Sequence, residues 1–267
     1  MPFLAIPIGL LIGLALGALG GGGSILTVPA LVYVLGQDPR AATTSSLIIV
    51  GIASLIALVP HARIGHVRAG QGLLFGALGT AGSFAGSALS ARVPPQVLLT
   101  AFAALMLLVA ALMIRQSIRD RGGQPDRTTE PNLTFRPFTC DCASVAKVLL
   151  TATAVGLLTG FFGVGGGFAL VPALVLVLGY PMPVAVGTSL LVIAVNSATA
   201  LAARVGIGVG HPDWALIAGF TAAAMAGSLL GGRVTARVNP QNLTRAFAAL
   251  LIVVALYTAA RSLPTLL

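Results

Sequence analysis

The run Gly20-Gly21-Gly22-Gly23-Ser24-Ile25-Leu26-Thr27-Val28-Pro29-Ala30-Leu31-Val32 returns 143 residues later as Gly163-Val164-Gly165-Gly166-Gly167-Phe168-Ala169-Leu170-Val171-Pro172-Ala173-Leu174-Val175. Each run joins two apolar segments, the second ending near Gly36 or Gly179. Glycine costs a helix roughly 1 kcal/mol per residue relative to alanine, so a hairpin or a broken helix is expected at each run. The repetition extends outward. The same shift lays Ser45-Ser46-Leu47 over Thr188-Ser189-Leu190. A two-residue insertion then changes the shift to 145, which aligns Gly82-Ser83 with Gly227-Ser228, Ala91-Arg92-Val93 with Ala236-Arg237-Val238, and Ala101-Phe102-Ala103-Ala104-Leu105 with Ala246-Phe247-Ala248-Ala249-Leu250. The chain reads as one unit written twice.

Lipid is the solvent for most of its surface. Of 267 residues, 57% are hydrophobic and 8% charged, and the mean hydropathy is +1.01, too apolar for a soluble domain of this size. Spanning helices need about 20 apolar residues each. Candidate segments are Met1 to Leu19, Thr43 to Pro60, Ala69 to Ser90, Gln96 to Met113, Val148 to Phe162, Val184 to Ala203, Trp214 to Gly232 and Leu243 to Ala260. The expected fold is an all-α polytopic membrane protein with two repeats, each carrying a Gly-rich hairpin or interrupted helix. The first segment lacks the basic start and small-residue cleavage site of a secretory signal and is read as retained. The net charge of +9 sits mostly at span ends and in one linker, where it meets anionic headgroups; the lipid bilayer, not nucleic acid, is the expected partner.

Three parts follow: a first repeat, 1–115; a charged linker, 116–146; and a second repeat, 147–267. The linker holds eight of the 21 charged residues together with Gly122-Gly123, Pro125, Pro131 and Pro137. Arg115, Arg119, Arg121, Arg127, Arg136 and Lys147 mark it as cytoplasmic by the positive-inside bias. If each Gly-rich segment is a returning hairpin, the repeats are inverted and 11 of the 15 basic residues fall inside; if it is a broken span, the repeats are parallel and 10 do. The difference of one charge favours inversion weakly, and inverted repeats are common in transporters.

A helix restarting after Gly20, Gly21, Gly22, Gly23 and Ser24, or after Gly163, Gly165, Gly166 and Gly167, presents unpaired N–H groups and a partial positive charge suited to an anion. The competing explanation is close helix packing, which suits Gly9, Gly13 and Gly17 at four-residue spacing better than consecutive glycines. The next helix of each half opens on hydroxyls, Ser45 and Ser46 in one and Thr188 and Ser189 in the other. Ser189, Asn196, Ser197 and Arg204 share a sector of about 100°, and Ser46, Ser54 and His61 form the equivalent stripe. Here the alternatives are hydroxyls bonded to their own helix and an Arg204 that snorkels to the interface. Arg204 could clamp an oxyanion through two N–H donors; His61 adds charge only when protonated.

No acid lies within a predicted span: Asp38, Asp120, Asp126, Glu130, Asp141 and Asp213 fall in loops or the linker. Cys140 and Cys142 are too few for a structural zinc site, and no cofactor or metal is expected. The zincin, P-loop, dinucleotide and nucleophile-elbow motifs do not occur, so an enzyme is not indicated. A passive anion channel and a membrane anchor using the Cys140–Cys142 pair are the rival readings.

The duplicated halves, each with a Gly-rich run, Val-Pro-Ala-Leu-Val and a Thr/Ser-Ser-Leu helix start, resemble the TauE/SafE family of sulfite exporters. The resemblance covers nearly the whole chain outside the linker. It implies a multi-pass protein of the bacterial inner membrane that exports sulfite or a related organosulfur anion, such as a sulfonate, from the cytoplasm. Gly20 to Ser24, Ser45, Ser46, Gly163 to Gly167, Thr188 and Ser189 carry the family's motif; His61, Asn196 and Arg204 come from the polar stripe alone. One central site between the repeats, exposed alternately to either side, is expected.

Overall fold

A computed structural model describes residues 5–90, 93, 95–122, 142–162, 167–204 and 213–262. Among them there is no strand. Helices α1 (Ala5–Leu19), α2 (Gly22–Pro29), α3 (Pro39–Arg63), α4 (Ala69–Ser90) and α5 (Pro95–Gly122) are followed, in the same order, by α6 (Cys142–Phe162), α7 (Gly167–Pro172), α8 (Met182–Arg204), α9 (Trp214–Arg237) and α10 (Pro240–Ser262). Among the described residues, five stretches are long and apolar enough to cross a membrane: Ala41–Arg63, Thr100–Ile118, Met182–Ala202, Trp214–Thr235 and Pro240–Ala260. The chain is an all-α polytopic membrane protein. Helices α5 and α6 reach to Gly122 and Cys142; residues 123–141 of the linker, with Cys140, lie outside the described residues, as does the Cys142 side chain.

Local chemistry starts the helices. Asp38 precedes Pro39 and accepts from the Ala41 N–H at 3.3 Å; Asn239 precedes Pro240 and accepts from the Gln241 N–H at 3.0 Å; Asp213 accepts from the Leu216 N–H at 3.2 Å. These side chains satisfy N–H groups that a first helical turn leaves open, and proline at the first position forfeits nothing there. Pro29 and Pro172 end α2 and α7, and each is followed by a π-helical turn, Ala30–Val34 and Ala173–Val177. A proline ring displaces the carbonyl four residues back, and the wider turn relieves that crowding. Gly36 and Gly179, with φ of +69° and +70°, close the two turns.

Helix α2 folds back on α1. A Cβ placed on Gly23 would lie 2.6 Å from the Leu16 Cβ and 2.7 Å from the Ile12 carbonyl oxygen, an approach that only a reversal of the chain allows. Gly20, with φ of +66°, makes the turn in the left-handed region that glycine enters without penalty. The interruption is therefore a hairpin and not a broken span. The turn is enclosed by the rest of the protein, with Gly20 to Ser24 all buried.

The two sets of helices interdigitate. Helix α1 packs along α9, where Cβ atoms on Gly9, Gly13 and Gly17 would strike the carbonyl oxygens of Phe220, Ala224 and Ser228, and those on Gly227 and Gly231 the carbonyls of Leu10 and Leu14. Helices α4 and α6 repeat the pattern, with Gly82, Gly86, Gly156 and Gly160 against Thr153, Leu157, Gly79 and Ser83. Glycine rows at four-residue spacing let the backbones touch, the usual way helices gain van der Waals contact in lipid. In the centre α3 and α8 run antiparallel: Gly51 meets Ser197, and Gly187 meets His61 and His66. Helices α5 and α10 pack on one another at the periphery, with Leu108, Leu112, Val253 and Leu256 exposed.

Gly13→Ala is expected to abolish folded yield or lower the thermal midpoint of the detergent-purified protein by at least about 5 °C, an overpacking effect. Gly219→Ala in α9, where a Cβ meets nothing within 4 Å, is expected to leave it unchanged or raised. Size-exclusion profiles after heating compare the two, and equal tolerance would remove the packing role of the glycine row.

Candidate functional site

The starts of α2 and α7 are brought together. The first turn of α2 crosses the first turn of α7, with Gly21 against the Gly167 carbonyl and the Ser24 hydroxyl against Gly167. Ser24 and Gly167 are counterparts under the 143-residue shift. Helix α8 flanks the crossing: a Cβ on Gly20 would lie 2.5 Å from the Ser189 Oγ and 3.3 Å from the Val186 Cα, and one on Gly167 would lie 3.0 Å from Ile193.

Every described residue of the two runs is buried, Gly20 to Ser24 and Gly167 alike. Every glycine among them has a neighbour that a Cβ would strike; Gly22, for example, meets Leu250 at 2.8 Å. Packing therefore accounts for Gly20 to Gly23 and Gly167 as well as for the spaced glycines. Packing does not account for how α2 begins. Its cap residue is Gly21, which has no side chain to cap it, and the first N–H groups of a helix have no partner within it.

The hydroxyls divide. Ser24 donates to the Gly21 carbonyl at 2.7 Å, Ser46 to Thr43 at 2.8 Å and Ser189 to Val186 at 2.8 Å, so these three return to their own backbone. Thr188 instead accepts from the Arg68 N–H at 3.2 Å, tying the loop between α3 and α4 to α8. Tyr180, in the connection before α8, is buried beside it; burial pushes its phenol up to about 12 although the Arg68 charge pulls it down, so it stays neutral. Ser45, the counterpart of Thr188, is 0% exposed and its hydroxyl has no hydrogen-bond partner. Ser54 is in the same position.

Two stripe residues lie elsewhere. Asn196 faces α4, with Oδ1 3.4 Å from the Thr80 hydroxyl and Gly76 and Gly79 beneath it. The His61 Nε2 lies 3.1 Å from the Gly17 carbonyl and, as the only partner able to donate, carries the proton of that bond. Gly163, Gly165, Gly166 and the Arg204 side chain lie outside what is described. Sequence reasoning missed Thr235, whose hydroxyl sits beside His61 against the last turn of α1. Its signal was available, because Gly227, Gly231 and Thr235 continue one row at four-residue spacing.

A family model described as "Sulfite exporter TauE/SafE" matches residues 5–258. The chain belongs to the TauE/SafE family. It is 34% identical over 259 residues to a "Probable membrane transporter protein" of Xylella fastidiosa (strain Temecula1 / ATCC 700964), covering 94% of this chain and 92% of the relative. It is also 27% identical over 255 residues to "Probable membrane transporter protein YunE" of Bacillus subtilis, covering 91% and 90%, and 25% identical over 203 residues to "Probable membrane transporter protein MJ0441" of Methanocaldococcus jannaschii, covering 73% and 70%. No solved structure matches. This TauE/SafE protein is a multi-pass membrane transporter.

Gly167→Ala drives a methyl onto the Ser24 hydroxyl and towards the Gly21 backbone. Loss of folded protein is expected, with partial recovery in the Gly167→Ala, Ser24→Gly double variant, because one of the two obstacles is then gone. Full additivity of the two substitutions in a thermal-stability cycle would separate these turns.

Proposed function

We propose that this transporter exports sulfite, or a related small organosulfur anion, from the cytoplasm through one site at the crossing of the two hairpins. What supports the reading is the buried start of α2: a helix N-terminus with no side-chain cap, enclosed by the protein, where an N–H without a partner is costly and a bound anion answers it. The matching start of α7 approaches from the other repeat. The proposed ligand set is the amides of Gly20 to Ser24 and Gly163 to Gly167, the hydroxyls of Ser45, Ser46, Thr188 and Ser189, and the guanidinium of Arg204. Ser45 brings a buried hydroxyl that has yet to meet a partner. His61, on the Gly17 carbonyl, and Asn196, in the seam with α4, stand outside this ligand set.

The repeats are read as inverted. A hairpin returns the chain to its starting side, and three further helices then leave each half facing the opposite way. The contacts of Gly232 with Pro60 and His61 support this by putting the ends of α9 and α3 on one side, the side counted as cytoplasmic when Arg63, Arg68, Arg233 and Arg237 lie together. Alternating access then takes the form of a rocking motion. The backbone contacts of α1 with α9 and of α4 with α6 are too close to slide, so the bodies that rock are these exchanged pairs with their hairpins, and not the sequential halves.

Calorimetric titration of sulfite into the purified protein, with sulfate and taurine as competitors, tests the reading. The wild type is expected to bind sulfite selectively. Arg204→Ala is expected to bind it at least about tenfold more weakly, the loss of one charge-assisted contact. A wild type indifferent to sulfite would move the assignment to an organic sulfonate or another anion, and unchanged binding in the variant would remove Arg204 from the site.

A further inference from the structure

The proposed site depends on a hairpin whose turn is held from outside by two residues of different helices. The carbonyls of Gly17 and Ala18 belong to the last turn of α1, where the chain reverses at Gly20 and the regular partners four residues on are lost. Neither carbonyl can turn to water. His61, on α3, brings Nε2 to 3.1 Å from the Gly17 oxygen. Thr235, on α9, brings Oγ1 to 3.0 Å from the Ala18 oxygen and 3.4 Å from the Gly17 oxygen. The two side chains are 2% and 3% exposed.

A threonine inside a helix usually spends its proton on its own helix, and the Gly231 carbonyl lies 3.1 Å away for that purpose. Thr235 is nonetheless oriented so that the Ala18 oxygen is its nearest acceptor. The small residues of its row, Gly227 and Gly231, let α1 come close enough for this. One donor therefore comes from α3 in the first repeat and the other from α9 in the second, and both act on adjacent carbonyls of a single turn.

We infer that Thr235, together with His61, is a positioning residue for transport: the pair caps the C-terminal end of α1 and thereby fixes where the amides of Gly20 to Ser24 are presented. The inference rests on the anion site proposed above for those amides. It gives His61 a task that needs no contact with the substrate, since its Nε2 proton is already committed to Gly17. It also makes the cap sensitive to the hydroxyl and not to the bulk of residue 235.

Hydrogen–deuterium exchange of the full chain in lipid nanodiscs, read with sulfite efflux from proteoliposomes, tests it on wild type, Thr235→Val and Thr235→Ser. Thr235→Val keeps the shape and removes the donor; it is expected to speed exchange of the amides between Gly20 and Ile25 about tenfold and to raise the KM for sulfite, while the amides of α5 and α10 exchange as before. Thr235→Ser restores both values. Unchanged exchange at Gly20 to Ile25 in Thr235→Val, or an increase spread evenly over all helices, would overturn the inference. The exchange readout needs no substrate: a wild type that moves no sulfite but shows the local change would sink the assignment of the anion and leave the cap standing.

Discussion

Backbone that is not helical has nowhere to hide in a bilayer. Each N–H and C=O freed by a break needs a partner within the protein, and this chain contains two breaks at matching positions. The fold answers by placing them against each other, where the first turn of α2 lies on the first turn of α7 and α3 and α8 screen both from lipid. Much else follows from that arrangement. The turns can meet only if the side chains there are vanishingly small, which is why Gly20, Gly21, Gly23 and Gly167 all stand where a Cβ would collide with a neighbour. Their freed carbonyls then recruit donors such as His61 and Thr235 from the surrounding helices.

The glycine rows serve a second end. Because α1 is bound to α9 and α6 to α4 by backbone contacts, each helix that leads into a glycine run is anchored to a helix of the other repeat. A shift of one such pair displaces its hairpin relative to the other, and the crossing at Gly21 and Gly167 is the point through which both must pass. On the proposed mechanism, motion and binding would meet at the same few residues, as they do when a transporter's site lies between its repeats.

Much of this was legible in the sequence. The long helices follow from hydropathy alone, because spanning lipid demands about 20 apolar residues whatever surrounds them, and the breaks follow from Gly20 to Gly23 and Gly163 to Gly167. The direction of the chain after the first break was not legible: hairpin and broken span differ by one basic residue in the charge count, and the contact of Gly23 with Ile12 and Leu16 decides it. The π turns after Pro29 and Pro172 were equally hidden, since a proline announces a disturbance without saying which way the helix will relax. A helical stripe reports a shared direction but not what lies in that direction, so Asn196 and Ser189, grouped by periodicity, part company between the α4 seam and the hairpin turn. Thr235 was visible as the next member of a glycine row but was masked by the arginines around it, Arg233 and Arg237, which made that end of α9 look like an interface.

The distribution of charge bears on how such a site would work. None of the six acidic residues falls within a spanning segment, and Asp38 and Asp213 are occupied as helix caps. At the proposed site the positive potential would come from the peptide dipoles at the start of α2, with Arg204 as the one cation of the proposed ligand set. Dipoles that are fixed in the fold cost no reorganisation when an anion arrives, and their partial charge holds it less firmly than a set of full ammonium or guanidinium groups would. A transporter must release what it binds. A site made chiefly of amides and hydroxyls, as proposed, would depend on the starts of α2 and α7 staying crossed and would weaken as the helix pairs rock apart, so the geometry proposed to attract the anion would also supply the means of letting it go.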